Sequence, residues 1–336
     1  MGRYVIRRVL QFIPTVLGTM FLLHYVTSVG IQLSGNPVRA LFGDRQPPQS
    51  LIDAISLRVG LNDPCLRNPG DLCLGLFWDR LTNIFVHFDF GVNLRLRDVT
   101  DIVADALPFT LRLALLAFVF EAVIGIAAGV LAGLRGGSFW DYLVKISTVF
   151  AISVPVFVLG VVVREFLNVL LGNWLRGQVW VPDVISVGVF SAGFKVQYPW
   201  ASTVIPAAVL AALSLATTAR LTRTSIMENI RSDYVRTAKA KGLQRKRVIG
   251  VHTLRNSLIP VVTFLGVDLG ALMGGAVITE TIFNIPGIGS LVARSARTGE
   301  ASVVIGVVTL LVLVFLIANL VVDILYAVLD PRIRYD

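Results

Sequence analysis

The chain has 336 residues, of which 55% are hydrophobic and only 15% are charged, and its mean hydropathy is +0.76. A soluble globular domain carries roughly 45–50% apolar and about 25% charged residues, so this composition excludes an ordinary soluble domain. The formal net charge of +9 does not indicate a nucleic-acid partner, because the basic residues stand between apolar runs, as the positive-inside rule of membrane proteins expects.

Six apolar runs predict six membrane-spanning helices, since about 20 helical residues cross the ~30 Å hydrocarbon layer. Lipid offers no hydrogen-bond partners to the backbone, so these runs must be helical. We therefore predict an all-α, multi-pass membrane protein. The predicted spans are Leu10–Ile31, Phe109–Leu134, Leu143–Leu171, Ser202–Leu221, Leu258–Ile282 and Val303–Leu329.

Small residues mark one face of the second span. Gly125, Gly129 and Gly133 recur at every fourth position, so one side of this helix carries no side chains. Such faces let neighbouring helices approach closely in lipid, and we predict tight helix packing there. In the third span Pro155 predicts a kink, because proline removes a backbone hydrogen bond and clashes with the preceding turn.

Acidic residues also lie inside the predicted spans, notably Glu121 in the second and Asp268 in the fifth. A charge in the hydrocarbon layer costs at least ~2.5 kcal/mol, so both side chains are expected to face the protein interior or water. They could contact the amine of a solute on the substrate pathway, or pair with polar groups between helices. The sequence leaves both interpretations open, and we favour the structural one.

The polar segment 32–106 separates the first two spans, and its prolines predict short helices and turns outside the membrane. It contains both cysteines of the chain, Cys65 and Cys73. An outward-facing segment permits oxidation, so we predict a disulfide bond between them. No Cys/His cluster has the spacing of a zinc site, and we expect no metal ligands in this chain.

The distribution of Lys and Arg predicts the orientation. Residues 220–256 hold ten basic residues, whereas the opposing loops 172–199 and 283–302 together hold four. The positive-inside rule therefore places residues 222–257 and both termini in the cytoplasm, and residues 32–106 outside.

The basic loop contains the most informative pattern. Asp233 can cap a helix over Tyr234–Lys241, whose C-terminal lysines favour the helix dipole, and Gly242 stands where a left-handed residue ends a helix. One weakly apolar face is expected from residues at i, i+4 spacing: Ile226, Ile230, Tyr234 and Ala238. This pattern suits a rigid element pushed by a soluble partner, and equally an amphipathic helix resting on anionic membrane lipid.

A family resemblance favours the first interpretation. Asp233-Tyr-Val-Arg-Thr-Ala-Lys-Ala-Lys-Gly-Leu243 resembles the cytoplasmic coupling loop of bacterial ABC-importer permeases, and more narrowly that of the oligopeptide/dipeptide permease family. Where the broader importer family has Glu-Ala-Ala, this chain has Arg236-Thr-Ala238, as is usual in the peptide subfamily. The resemblance covers nearly the whole chain, through Arg247–Pro260, Arg3–Thr15, Asp89–Gly91, Leu107–Leu113, Glu280–Gly289 and Leu329–Arg334.

The resemblance implies a type I ABC importer permease fold, with a five-helix core over 107–329, a first helix over 1–31 outside it, and a short tail over 330–336. It implies a heterodimer with a second permease, two cytoplasmic P-loop ATPases that bind ATP and Mg²⁺, and an extracytoplasmic peptide-binding protein. It also implies that these residues couple the permease to the ATPases: Asp233, Tyr234, Arg236, Thr237, Ala238 and Gly242.

The sequence contains no G-x-x-x-x-G-K-[ST] phosphate-binding loop, so ATP hydrolysis must come from a partner. We expect no cofactor and no catalytic residue in this chain, which would translocate di- or oligopeptides by alternating access. The alternatives are another small solute, such as a nickel chelate or glutathione, or an ion-coupled secondary transporter. The last class often shows inverted repeats, which we do not find.

Overall fold

The computed structural model describes residues 2–40, 42 and 47–329, so the predicted tail 330–336 lies outside the described residues. The described residues form helices and one isolated β-bridge, between Val92 and Asp98, without a β-strand. The chain divides into two compact units, one of Met1–Phe109 with Pro286–Asp336 and the other of Thr110–Ile285.

The main helices are numbered here in chain order. They are α1 (Gly2–Ser34), α2 (Pro37–Ala40), α3 (Gln49–Arg58), α4 (Leu74–Val86), α5 (Val99–Leu134), α6 (Phe139–Ser153), α7 (Val156–Arg176), α8 (Ala201–Asn229), α9 (Asp233–Ala240), α10 (Arg245–Ser257), α11 (Ile259–Ile282), α12 (Ile288–Thr298) and α13 (Ala301–Leu329). The segment 32–106 holds the expected short helices, but α5 already begins inside it, at Val99.

Four helical stretches are long and apolar enough to cross a membrane: Leu10–Ser34, Val99–Leu134, Val156–Arg176 and Ala201–Asn229. The bent pair Arg245–Ser257 and Ile259–Gly274 adds a fifth if it forms one span. In α13 the apolar stretch with described side chains is shorter, Ala301–Ile317. The chain therefore has the several apolar helices of a multi-pass membrane protein, while the count of six spans stays a prediction.

In the first unit, the amphipathic helix α4 packs along α1. Leu81 and Ile84 of α4 are buried against Val16 and Met20 of α1 and against Leu316 of α13. A second buried cluster joins α1 to the short helices and includes Ile31, Val38, Ile52, Cys73 and Ala301. Burial of these apolar side chains holds the polar segment 32–106 together.

In the second unit, the glycine face of α5 packs on α8. A Cβ atom on Gly129 would lie only 2.5 Å from the Cβ atom of Thr222, and one on Gly133 only 2.9 Å from that of Ile226. A Cβ atom on Gly125 would lie 3.0 Å from a side-chain methyl of Thr218. The predicted close packing along this face is confirmed, because only glycine leaves room for α8.

The predicted kink at Pro155 is wrong. Helix α6 ends at Ser153 and α7 begins at Val156, so the helix of the third predicted span is interrupted at Pro155 instead of continuing through a kink. Val154 and Pro155 are both extended, with ψ angles of 121° and 136°. Proline disfavours the helical region for the residue before it, which explains why the helix stops there.

Candidate coupling site and membrane acids

The predicted coupling helix is present as α9. Its N-cap is Ser232, which is extended, whereas Asp233 occupies the first helical position. The prediction that Asp233 is the cap is therefore wrong by one residue. At the first helical position its carboxylate still favours the positive end of the helix dipole, and its Oδ1 accepts a hydrogen bond of 3.0 Å from Nη1 of Arg236.

Gly242 ends this helix as predicted, with a φ angle of +74°. Its N–H donates to the carbonyl oxygen of Lys239 at 3.0 Å, and the N–H of Leu243 donates to that of Ala238 at 3.3 Å. These two bonds form a Schellman motif, which requires a left-handed residue after the C-cap. The chain thereby reverses direction and leads into α10.

The apolar face of α9 differs from the predicted one. Val235 and Ala238 are buried against Val248 of α10, with Leu243 packed beside them. The predicted face was wrong because α8 ends at Asn229, so Ile226 and Tyr234 do not share a helix, and Tyr234 is 41% exposed. Ala238 thus faces the loop's own core, which holds α9 on α10.

The opposite face of α9 is polar and exposed. The side chains of Asp233 and Arg236 are 96% and 73% exposed, and Thr237 is also exposed. The hydroxyl of Tyr234 donates to Oδ1 of Asn229, which fixes the ring beside the end of α8. The predicted coupling residues therefore divide into an exposed set and the buried Ala238, and their role in binding an ATPase stays a prediction.

Hydrogen bonds tie this loop to the adjoining membrane helix. The carbonyl oxygen of Ser225 in α8 accepts from Nδ2 of Asn229 at 2.8 Å and from Oγ of Ser257 at 3.3 Å. Ser257 is fully buried at the end of α10. Both ends of the loop therefore meet at the same turn of α8.

A buried ion pair anchors the same end of α8, and sequence reasoning missed it. Asp141 of α6 is 1% exposed and accepts two hydrogen bonds from Arg223, one of them from Nη2 at 3.2 Å. Its Oδ2 also accepts from the N–H of Gly137 at 2.9 Å, and Nζ of Lys145 lies 3.1 Å away. The Arg223 guanidinium, with these further donors, holds the pKa of Asp141 well below its usual range.

Asp141 and Arg223 form the ion pair across 82 residues of sequence. The sequence offered one weak signal for this pair, an acid just before the third predicted span together with a strongly basic segment later in the chain.

The two predicted acids of the spans, Glu121 and Asp268, are brought together. Glu121 begins a π-helical turn in α5, Glu121–Gly125, and is fully buried. Its Oε1 accepts a 2.7 Å hydrogen bond from Thr218 of α8, and the carboxyl group of Asp268 in α11 lies near that of Glu121. The bond to Thr218 is a polar contact between two helices, and a place of either acid on the substrate pathway stays a prediction.

In the first unit, the Sγ atoms of Cys65 and Cys73 lie 2.09 Å apart and their Cα atoms 5.4 Å apart. The structure thus places the two cysteines as a disulfide requires. Among the described residues, no group of three or more His, Cys, Asp or Glu side chains could hold a metal ion.

The fold defines a multi-pass membrane protein that carries a capped, docked helix between two apolar helices. The family model described as the binding-protein-dependent transport system inner membrane component matches residues 125–335. The chain belongs to this family, as its sequence pattern had predicted.

Relatives match over almost the full length. The chain is 32% identical to the dipeptide transport system permease protein DppB of Alkalihalophilus pseudofirmus, covering 99% of each chain. It is 34% identical to the glutathione transport system permease protein GsiC of Escherichia coli, covering 100% of each chain. Among solved structures, the MetNI methionine ABC transporter in an inward-facing form matches with a TM-score of 0.53 and 18% identity, covering 69% of this chain and 97% of that chain.

The likeness to MetNI shows the fold alone, and together with the family it confirms the predicted type I permease fold.

Proposed function

We propose that this chain is the membrane-spanning subunit of an ATP-driven ABC importer that moves di- or oligopeptides across the cytoplasmic membrane. The observation that carries this proposal is the full-length similarity to permeases named for dipeptide and glutathione transport. The chain itself would be non-catalytic, with ATP and Mg²⁺ bound by two cytoplasmic ATPase subunits. A second, similar permease subunit would complete the membrane part as a heterodimer, and an extracytoplasmic binding protein would deliver the peptide.

The domains take the predicted orientation in this proposal. Residues 222–257 and both termini would face the cytoplasm, and residues 32–106 would face outward with the binding protein. The five-helix core over 107–329 would line the pathway, with the helix over 1–31 outside it in contact with lipid. The ten basic residues of the segment 220–256 support this orientation.

The geometry of α9 supports a mechanical coupling role. An ATPase would bind the exposed polar face with Asp233, Tyr234, Arg236 and Thr237. A force on that face would pass through the buried contact of Val235 and Ala238 to α10, since packed side chains move as a unit. The contacts at Ser225 and Arg223 would carry it into α8, and the glycine face would pass it from α8 to α5.

A charge reversal on the exposed face tests this role. Arg236→Glu removes a solvated pair with Asp233 that contributes at most about 1 kcal/mol, so the fold should persist. We expect the variant to insert normally but to lose at least tenfold of the co-purifying ATPase and of peptide uptake. Lys246→Glu makes the same change in net charge at an exposed position of α10 and should retain both. Equal behaviour of the two variants would contradict the assignment of α9 as the docking helix.

The substrate class is tested by uptake in a strain that lacks this chain. Labelled dipeptides and tripeptides should enter only when the chain is restored, and unlabelled peptides should compete. The relative named for glutathione transport keeps glutathione as the second candidate, and a nickel chelate is the third. If glutathione is taken up and dialanine is not, glutathione replaces dipeptides as the proposed substrate. Uptake that continues without the ATPases and follows a proton gradient would instead support the ion-coupled alternative.

A further inference from the structure

Helix α4 runs back along α1, toward the end at which α1 begins. At the start of α4 the carbonyl oxygen of Cys73 lies 3.1 Å from Nε2 of His24. One turn later the ring of Phe77 meets that of Phe21 edge to face, with the ring centroids 5.4 Å apart. Near the end of α4, Phe85 lines an apolar groove together with four residues from the first part of α1: Phe12, Ile13, Val16 and Leu17. Helix α4 therefore retraces much of the path of α1.

The same descent, and the return from it, can be followed along α13. Phe85 shares its groove with Leu313. Soon after α4 the chain is back at the start of α13, since a Cβ atom on Gly91 would lie 3.5 Å from that of Ser302. Ser302 and Leu313 are eleven residues apart in this helix, which is about 16 Å along its axis. The chain thus descends about 16 Å with α4 and returns by Gly91.

The level that α4 reaches lies inside the apolar stretch of α1. This stretch begins at Leu10, directly after the basic residues Arg7 and Arg8, and extends to Ser34. About 20 of its residues are needed to cross the ~30 Å hydrocarbon layer. A segment that leaves α1 at Ser34 and reaches the level of Val16 must therefore enter that layer, whichever side of the membrane it comes from.

Helix α4 also has two apolar faces. Leu81 and Ile84 form the first face and are buried against α1 and α13. The second face carries Leu74, Trp78 and Phe85, which share one side of the helix and are all exposed, Trp78 at 65%. Packing within the described part of the chain accounts for the first face and leaves the second uncovered.

The uncovered face of α4 is continuous with the apolar outer side of α1. Ile13 and Leu17 line the groove beside Phe85, and both are exposed as well. The polar side chains of α4 lie on another side of the helix, where Asp79 and Asn83 line a cavity of about 240 Å³. Apolar and polar groups are thus separated around α4, as they must be in a helix that borders lipid.

We infer that α4 is a re-entrant helix, and that acyl chains of membrane lipid cover its face of Leu74, Trp78 and Phe85. The segment 32–106 enters the hydrocarbon layer with α4 and returns to the same side. A helix satisfies its own backbone in lipid, and the turn that follows is packed on protein through Phe90. The inference rests on α1 crossing the membrane, as the proposed function requires, and is independent of the substrate and of the coupling role.

Tryptophan fluorescence of the full chain in nanodiscs tests this inference, with lipids whose acyl chains carry bromine, a quencher that acts on contact. The other four tryptophans are replaced by phenylalanine, and all of them lie in the second unit, so α4 stays unaltered. Trp78 should lose most of its fluorescence in brominated lipid and little of it to iodide in the water. In a variant without Trp78, Phe85→Trp should be quenched best by bromine near the ends of the acyl chains, because it lies deeper.

The matched control is Leu57→Trp, at a position of α3 that is 68% exposed in the same segment. Helix α3 packs against Ile31 at the far end of α1, so this probe should be quenched by iodide and little by brominated lipid. Leu22→Trp, at an exposed position of α1, reports whether α1 itself lies in lipid.

Quenching by brominated lipid at Leu22→Trp but at neither probe of α4 would overturn the inference and leave the membrane-spanning subunit intact. Absence of such quenching at all three positions would refute both. The measurement on Trp78 is repeated in the assembled importer, where quenching should persist. If assembly abolishes it, a partner subunit covers this face and lipid does not.

Discussion

Replacement of Arg223 by alanine is expected to damage the connection between α8 and α6 while leaving α9 exposed. The change leaves Asp141 buried with only the N–H of Gly137 and the ammonium of Lys145 as partners. Arg223 supplies two of the hydrogen bonds to this carboxylate, so most of its compensation is lost. A buried carboxylate without its cation is one of the few single changes that destabilise a protein strongly.

The size of the effect follows from the burial of the pair. Removal of one partner from a buried ion pair costs about 3–5 kcal/mol, because the remaining charge is left uncompensated. Arg223 is 16% exposed and Lys145 stays in place, so we expect the lower end, about 3 kcal/mol. Lys145→Ala removes a side chain that is 44% exposed and should cost at most about 1 kcal/mol.

The pH dependence gives a second check. The pKa of Asp141 is lowered in the folded state, so its stabilisation is complete above its ordinary pKa of about 3.9 and is lost only as the pH falls below that value. The difference between the unaltered protein and Arg223→Ala should therefore be constant from about pH 5 upward.

The assay is unfolding of the purified full chain in detergent, together with peptide uptake per ATP hydrolysed in the reconstituted complex. Arg223→Ala should lower both the free energy of unfolding and the peptide uptake per ATP hydrolysed. The double variant Asp141→Arg with Arg223→Asp exchanges the two charges and should recover part of each loss. The recovery is incomplete because an aspartate at position 223 cannot accept from the N–H of Gly137. If Arg223→Ala and Lys145→Ala are equally stable, the reasoning about this pair is refuted.

Three further predictions concern local geometry. Gly242→Val should lower the free energy of unfolding by about 1–2 kcal/mol. Backbone strain alone causes this loss, since no atom lies within 4 Å of the added Cβ atom. The variant should also reduce peptide uptake, whereas Gly250→Val, at an open helical position, should not. Gly129→Val should abolish stable accumulation in the membrane, because its Cβ would lie 2.6 Å from a backbone oxygen of α8; immunoblots of membranes measure this. Cys65 and Cys73 should react with maleimide only after reduction, and mass spectrometry that finds two free thiols would reject the bond.

Local chemistry explains why α9 could be predicted from the sequence. A glycine after a lysine-rich helical turn is enough to indicate where the helix ends, and Gly242 has the expected left-handed backbone. The buried face could not be derived in the same way. It depends on the turn after Asn229, which breaks the i, i+4 series, and on Val248, which returns from the next helix.

Pairs of polar residues far apart in the chain could not be predicted from the sequence, for a different reason. Glu121 and Asp268 were each recognisable as costly acids in apolar runs, but their closeness depends on how α5 and α11 pack. Asp141 gave no such warning, because an acid at the start of a helix is ordinary. Hydropathy therefore predicted where the long apolar helices lie, and tertiary contacts decided which polar groups meet.

The orientation in the membrane leads to the last prediction. The loop between α5 and α6 contains Gly137, which donates to Asp141, and Asp141 binds Arg223 close to where α8 leads into α9. This loop and the coupling helix must therefore lie on the same side of the membrane, whichever side that is. Charge counts along the sequence place that side in the cytoplasm.

Two cysteine variants test this placement in a background without native cysteines. Gly136→Cys lies in an exposed part of that loop, where an added Cβ has room, and should resist a membrane-impermeant maleimide applied to intact cells. Val179→Cys, fully exposed between α7 and α8, should react at once from outside. The reverse labelling pattern would show that the chain has the opposite orientation in the membrane. Helix α9 would then lie outside the cytoplasm, away from the ATPases, and the proposed coupling role would be refuted.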